Sequence, residues 1–235
     1  MRTLLSFALA ATALASNALS AQSWENRGSP ATVVELYTSE GCSSCPPAEA
    51  ALNNLKGNDE LWTSVIPMAF HVDYWNYIGW TDKYAKPEFS KRQRQKVSQT
   101  RASGVYTPGW FINDQEWLGF FARQTVPYAN GPIAPRLKAS IEGKTLRVNY
   151  EGSGLFQAQY VLLAMNITTQ VKRGENRGKT LEHDFVVVDF DTKIGQRSWQ
   201  FALERDTVAV PSAIAVWLTP QSGGDPVQTV AGWLE

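Results

Sequence analysis

The sequence is poor in cysteine and has no net charge. Its 235 residues contain only two cysteines and two histidines, and 22 basic side chains balance 22 acidic ones. Because the charges cancel, no global field steers the chain to nucleic acid or to acidic membranes. We therefore expect no nucleic-acid partner, and a charged partner would have to use a local patch.

Several kinds of functional motif are also missing. We find no internal repeat, no phosphate-binding loop, no paired catalytic carboxylates and no Ser/His/Asp arrangement with useful spacing. The sequence therefore predicts no cofactor. Beyond the amino terminus, no segment is long and apolar enough to span a bilayer, so no integral membrane segment is expected after signal cleavage.

The amino terminus has the pattern of a secretory signal. A short basic start is followed by an apolar run over residues 4–14 and by small residues up to Ala21. A retained anchor is the alternative, although the apolar run falls well short of about 20 residues. We predict a signal peptide over 1–21, a loose lead-in over 22–30, and an exported protein, periplasmic or secreted, in a compartment where disulfides persist.

Both cysteines lie in the segment T-S-E-G-C-S-S-C-P-P. A strand-like run over 32–37 precedes Cys42 and Cys45, and two prolines followed by helix formers come after them. The start of a helix stabilises a thiolate, so Cys42 is predicted to attack and Cys45 to resolve the mixed disulfide. Glu40 opposes this, because a nearby carboxylate disfavours a second negative charge. Exchange also requires the Cys42 sulfur to be reachable by solvent.

Two other uses of the cysteines stay open. One is a static disulfide, although closing so short a loop restrains the unfolded chain by only about 2 kcal/mol. The other is a copper or zinc site in which Cys42 and Cys45 bind the ion together with His71, with His183 completing a Cys2His2 count. The histidines lack the spacing of known zinc motifs.

A second strand is predicted over 64–72, parallel to the first. The carboxyl ends of parallel strands share one sheet edge, so His71, Asp73 and Trp75 should project beside the cysteines. The aromatic segment 73–80 then forms either an apolar rim around the site or a loop anchored in the core. A helix follows over 87–101, and its basic residues are interpreted as a solvated face, with a docking patch for an acidic partner as the alternative.

The pattern changes after a proline-rich segment at 125–137. Six strand-like runs over 145–233, separated by glycine-rich turns, predict an antiparallel sandwich. The turn G-E-N-R-G at 174–178, shortly before His183, is predicted to be a hairpin or loop tip, and its bounding glycines explain it without a further role.

Taken together, these motifs resemble a family of exported bacterial proteins catalogued as domain of unknown function 1223, within the thioredoxin superfamily. The resemblance implies an α/β thioredoxin-like domain over 31–138 followed by an all-β antiparallel sandwich-like domain over 139–235. It makes Cys42 the nucleophile and Cys45 the resolving thiol, with Thr107 before a cis Pro108. It also makes the turn at 174–178 a candidate for packing onto the first half or for binding a partner. The segments that carry it are 34–49, 69–80, 92–93, 105–108 and 174–183.

The superfamily often buries an acid in the strand before the cysteines. Glu35 is the corresponding carboxylate here, but its spacing to Cys42 is one residue longer, so a surface or capped carboxylate is as good an interpretation.

Two functional hypotheses follow. One is an exported thiol–disulfide oxidoreductase acting on protein thiols or disulfides. The other is a non-catalytic binding protein that holds a partner protein, copper or zinc. The sequence predicts neither the oligomeric state nor the direction of electron flow.

Overall fold

The computed structural model describes residues 21–128, 131–204 and 207–235. Within these ranges the chain forms fourteen β-strands and only two α-helices. The strands are β1 (Gln22–Asn26), β2 (Thr32–Thr38), β3 (Val65–His71), β4 (Gly109–Ile112), β5 (Gln115–Glu116), β6 (Leu137–Glu142), β7 (Thr145–Tyr150), β8 (Phe156–Ala164), β9 (Ile167–Gln170), β10 (Thr180–His183), β11 (Val186–Gly195), β12 (Ser198–Ala202), β13 (Ala213–Pro220) and β14 (Gln228–Trp233). The helices are α1 (Pro46–Asn53) and α2 (Pro87–Gln99), and short 3-10 helices occur at Asn54–Gly57 and Asn76–Ile78.

The predicted signal peptide, 1–21, lies outside the described residues except for its last position. In the described ranges no helix has both the length and the apolar composition needed to cross a membrane.

One mixed sheet of eight strands contains the core of the molecule. Its order is β14-β13-β8-β11-β3-β2-β4-β5, with β2, β3 and β11 parallel and the other neighbours antiparallel. At the junction of the two halves Val186 pairs with Ala69, whose amide donates to the Phe185 carbonyl oxygen at 2.8 Å. Strands from before and after residue 138 therefore share one sheet.

The predicted fold class, an α/β thioredoxin-like domain followed by an all-β antiparallel sandwich-like domain, is wrong. Strands account for 40% of the structure and helices for 13%, so the molecule is mostly β-sheet. Hydrophobic periodicity reports how each segment is buried, but it does not reveal which distant strand becomes its neighbour. The sequence before residue 138 contains no pattern that predicts the pairing of β11 with the edge of β3.

A second sheet covers one face of the large sheet. Its order is β1-β6-β7-β12, and every neighbouring pair is antiparallel. Leu146, Val148 and Phe201 from this sheet form one buried cluster with Tyr160 and Val216 from the large sheet. Alternating inward-facing residues of the two sheets thus build a common core.

The first strand belongs to this sheet. Where the sequence predicts a loose lead-in over 22–30, Gln22–Asn26 instead pair with β6 along their whole length. Exposure alternates along the strand, and Trp24 packs on the core. The Asn26 side-chain amide donates to the Thr229 carbonyl oxygen at 2.9 Å, which ties the segment to β14.

Helix α2 differs from its predicted role as a carrier of a solvated basic face. Arg92 and Lys96 are buried, whereas Lys91 and Arg94 on the same helix are exposed. The cause is Glu35, a buried carboxylate on β2 that lies 2.7 Å from Arg92 Nη2 and 3.0 Å from Lys96 Nζ. Two of the helix's cations therefore neutralise a charge inside the molecule.

Candidate functional site

The two cysteines lie where β2 gives way to α1. Cys42 and Cys45 form a disulfide with a Cα–Cα distance of 5.4 Å, and Cys45 is the residue that caps the helix. The Cys45 carbonyl oxygen accepts bonds from the amides of Ala48 and Glu49, at 2.9 Å and 3.0 Å. The pair thus sits at the positive end of the helix dipole.

Thr107 and Pro108 lie opposite the disulfide. The Thr107–Pro108 peptide bond is cis, and the Thr107 carbonyl oxygen is 3.8 Å from Cys42 Sγ. Two side chains hold this turn: Trp75 Nε1 donates to Thr107 Oγ1 at 2.7 Å, and Gln93 Nε2 donates to the Tyr106 carbonyl oxygen at 2.7 Å. A backbone acceptor is therefore fixed beside the sulfur.

The expectation that solvent reaches the Cys42 sulfur is wrong. Cys42 is 1% exposed and Cys45 is 0% exposed. The segment 174–178, which we call the covering loop, lies on the cysteine turn. Asn176 donates to the carbonyl oxygens of Glu40 and Cys42, at 2.9 Å and 2.8 Å, and is itself fully buried.

A second contact joins the covering loop to the same turn. The Ser43 amide donates to Glu175 Oε2 at 3.0 Å. Hydrogen bonds from the Ser43 side chain and from its amide lower the pKa of Glu175. Gly174 packs near Ile78 and Trp80 of the aromatic segment. The prediction that G-E-N-R-G packs onto the first half is confirmed by these contacts.

The aromatic segment divides between the two roles predicted for it. Trp75 and Trp80 are half-buried and hydrogen-bonded, Trp75 to Thr107 and Trp80 to Glu40 Oε2 at 2.7 Å. Tyr77 is 83% exposed. The two tryptophans therefore pack beside the cysteine turn. Of these three aromatic side chains, only that of Tyr77 is exposed to solvent.

The predicted residues His71 and Asp73 have different surroundings. His71 Nδ1 lies 2.7 Å from Asp82 Oδ2, and both residues are buried. Asp73 instead faces α2. Its carboxylate accepts a hydrogen bond from the Ser90 hydroxyl, and its backbone amide donates to Ser90 Oγ at 3.1 Å.

His71 belongs to a set of five buried side chains that we call the acid–histidine cluster: Glu40, Glu49, His71, Asp82 and His183. His183 Nδ1 contacts Glu49 Oε2, and its Nε2 lies 3.3 Å from Glu40 Oε1. The Glu40 amide donates to Asp82 Oδ2 at 2.9 Å. Since Glu40 and Glu49 flank the two cysteines in the chain, the cluster adjoins the disulfide turn.

The carboxylates raise the pKa values of both histidines. Burial lowers the pKa of His183, but hydrogen bonds to Glu40 and Glu49 outweigh burial and raise it to about 10. Burial also lowers the pKa of His71, but the Asp82 carboxylate outweighs burial and raises that pKa above its ordinary value. The pKa of Glu49 is lowered because its contacts with His183 outweigh its burial.

Glu35 is engaged elsewhere. Arg92 binds it through two nitrogens, Lys96 lies beside it, and the Tyr37 hydroxyl donates to Glu35 Oε2 at 2.8 Å. Burial raises the pKa of this carboxyl, but Arg92 and Lys96 outweigh burial and lower it to about 2. A carboxylate held so firmly in its ionised form is a poor proton acceptor.

The copper or zinc set of Cys42, Cys45 and His71 is not the group that the fold assembles. The cysteines are bonded to each other, and among the described residues the cluster with metal-ligand spacing joins His71 to Glu49 and His183. Sequence reasoning did not single out Glu49, Asp82 or Asn176. Only Asn176 had a local signal, as the centre of the G-E-N-R-G turn.

Comparison with known proteins gives the fold two solved counterparts. A crystal structure of protein AGR_C_4864 from Agrobacterium tumefaciens is 25% identical, with 89% of this chain and 96% of that chain covered and a TM-score of 0.59. HBP35 of Porphyromonas gingivalis is 14% identical, with 88% and 76% covered and a TM-score of 0.52, a likeness of fold alone. None of the curated proteins matches the chain.

The motifs around the cysteines, the Thr-Pro turn and the covering loop all fall within one matched region. The family described as protein of unknown function (DUF1223) matches residues 33–219, the greater part of the chain, and the chain therefore belongs to that family.

Proposed function

We propose that this protein catalyses thiol–disulfide exchange with partner proteins through Cys42 and Cys45. The observation that carries the proposal is the Thr107 carbonyl oxygen, 3.8 Å from Cys42 Sγ across the disulfide. Such a backbone acceptor could pair with an extended partner chain and align its cysteine with the disulfide. The C-S-S-C and Thr-Pro motifs, which resemble those of the thioredoxin superfamily, support the same chemistry.

The exchange balances within the two proteins and needs no cofactor. A partner thiolate attacks Cys42 Sγ, forms a mixed disulfide and displaces Cys45 as a thiolate, which takes up a proton. The partner's second thiolate then attacks its own half of the mixed disulfide and releases Cys42. The partner loses two electrons, the cysteine pair gains them, and the reverse sequence reduces a partner disulfide.

Before the proposed reaction, a partner chain must gain access to the Cys42 sulfur. Cys42 is buried under the covering loop, and Asn176 and Glu175 bind the backbone of the cysteine turn. A partner chain that docks on Thr107 would have to displace these contacts. Polar contacts to backbone are individually worth about 1 kcal/mol, so docking energy can offset their loss.

A redox titration tests the proposal. The mature protein is equilibrated in glutathione or dithiothreitol buffers of stepped potential, and alkylated thiols are counted by mass spectrometry. We expect a potential above about −300 mV, the limit below which structural disulfides fall. In parallel, Cys45→Ser should trap partner proteins on Cys42, whereas the double variant C42S/C45S should trap none. A pair that stays oxidised throughout this range, with no trapped partner, refutes the proposal.

A non-catalytic binding protein is the second candidate. The burial of both cysteines favours it, because a static disulfide needs no access. This candidate predicts that the cysteine pair stays oxidised throughout the titration and that Cys45→Ser traps no partner. It also predicts that C42S/C45S binds its partner as the wild type does.

Export is also part of the proposal. The basic and apolar pattern of residues 1–21 supports a signal peptide, and the disulfide suits an oxidising compartment. Amino-terminal sequencing of protein from a fractionated host tests it. We expect a mature terminus near residue 22 in the periplasmic or secreted fraction, and an intact Met1 in the cytoplasmic fraction would contradict export.

A further inference from the structure

We propose that Glu49, His71 and His183 bind a divalent transition-metal ion of the Zn²⁺ class. Each side chain offers one ligand atom, and the three atoms lie within 4.8 Å of one another. All three residues are buried, with exposures of 5%, 0% and 2%. Side chains of different elements therefore converge on one enclosed point.

The orientation of His71 suits a metal ligand. Its Nδ1 faces Asp82 Oδ2 at 2.7 Å, and its Nε2 is buried with no hydrogen-bond partner in the described part of the chain. Metal-binding histidines commonly use one ring nitrogen for the ion and give the other N–H to a carboxylate, which fixes the tautomer. The unpartnered Nε2 is the nitrogen that an ion would use.

The charge of the cluster also calls for a cation. Glu40, Glu49 and Asp82 are three buried carboxylates, and across the described ranges their only ion-pair partners are the two histidines. Buried charges persist only when they are paired or coordinate metals. One divalent ion would offset two of these three negative charges.

The kinds of ligand atom favour zinc over calcium and magnesium. Two imidazoles and a carboxylate form the His2Glu combination that binds zinc with one position left for a further ligand. Calcium and magnesium prefer oxygen donors alone. The ligands sit in α1, at the end of β3 and at the end of β10, and regular elements hold such a geometry more rigidly than free loops do.

Titration of the tag-free mature protein with Zn²⁺ tests the site. After treatment with a chelator, binding is followed by isothermal titration calorimetry, and Co²⁺ serves as a spectroscopic probe. We expect one ion per chain and a loss of at least tenfold in affinity for His71→Gln. Asp82→Asn, which removes the partner of Nδ1, should cost about 10- to 100-fold. The matched control is Glu182→Gln, which replaces an exposed carboxylate next to His183 and should leave the affinity for Zn²⁺ unchanged.

The same experiment separates this inference from thiol exchange. C42S/C45S should bind the ion as the wild type does, and the Co²⁺ spectrum should lack thiolate charge-transfer bands. Each variant is checked for folding by circular dichroism, and Asp82→Asn provides the test if His71→Gln does not fold. Failure to take up one equivalent of Zn²⁺, or affinity lost with the cysteines but kept in Asp82→Asn, would overturn the metal site.

Discussion

Asn176 is 134 positions from Cys42 in the chain, yet its side-chain amide donates a 2.8 Å hydrogen bond to the Cys42 carbonyl oxygen. The same amide group also donates to Glu40, two residues earlier. One buried side chain from the second half of the sequence thus fixes the backbone around the first cysteine. We expect access to the disulfide to depend on this contact.

Replacing Asn176 by alanine should make the disulfide easier to reduce. The substitution removes two hydrogen bonds worth about 1 kcal/mol each, so the population with the covering loop displaced should rise by tenfold or more. The rate of reduction by dithiothreitol, followed by alkylation and mass spectrometry, measures this. Arg177→Ala, an exposed neighbour in the same loop, should behave like the wild type. A folded N176A protein reduced no faster than R177A would contradict the role of the loop.

Arg92→Met should destabilise the fold strongly. The side chain is buried and binds Glu35 through two nitrogens, so its removal leaves that carboxylate with one paired cation, Lys96, and the Tyr37 hydroxyl. Breaking a buried ion pair costs roughly 3–5 kcal/mol in unfolding free energy. Arg94→Met, an exposed arginine on the same helix, should cost less than about 1 kcal/mol. Urea denaturation of both variants makes the comparison, and equal losses would refute the buried pairing.

The Glu35 carboxylate should dominate part of the acid unfolding. Its pKa is lowered in the folded protein from 4.5 to about 2, so the unfolded chain binds the proton first as pH falls. The stability it contributes is complete above about pH 4.5 and is lost progressively down to about pH 2, a total of roughly 3 kcal/mol. Unfolding free energies of the wild type and Glu35→Gln, measured across this range, should differ in slope. Parallel curves would show that Glu35 is not ionised in the fold.

Reduction of the Cys42–Cys45 disulfide should destabilise the protein only modestly. Closing so short a loop restrains the unfolded chain by about 2 kcal/mol. Urea denaturation of the oxidised protein and of the protein reduced with dithiothreitol measures the difference directly, and C42S/C45S provides a second reference. A difference well above 4 kcal/mol would indicate a structural staple and would favour the non-catalytic candidate.

Much of the local structure around the site could be predicted from residue patterns. The buried run before Cys42 forms β2, the two prolines begin α1, and Pro87 begins α2, because β-branched residues and helix-initiating prolines act through local backbone preferences. Membership of the DUF1223 family was also predicted, and the match over residues 33–219 confirms it.

What failed were the inferences about distant partners. The basic residues of α2 looked like a solvated face because nothing nearby in sequence shows that Arg92 meets Glu35, 57 positions earlier. Cys42 looked exposed because the residue that covers its turn, Asn176, comes from the other half of the chain. Burial of polar groups is decided by tertiary pairing, and a single sequence carries no record of it.

The shared eight-stranded sheet has a consequence for anyone who would study the cysteine region in isolation. A fragment cut at residue 138 would lose β11, and the β3 backbone that Val186 and Phe185 cover would become an open, apolar edge. Exposed edges of this kind recruit other chains. The truncated piece should therefore aggregate, and experiments on the disulfide should use the intact molecule.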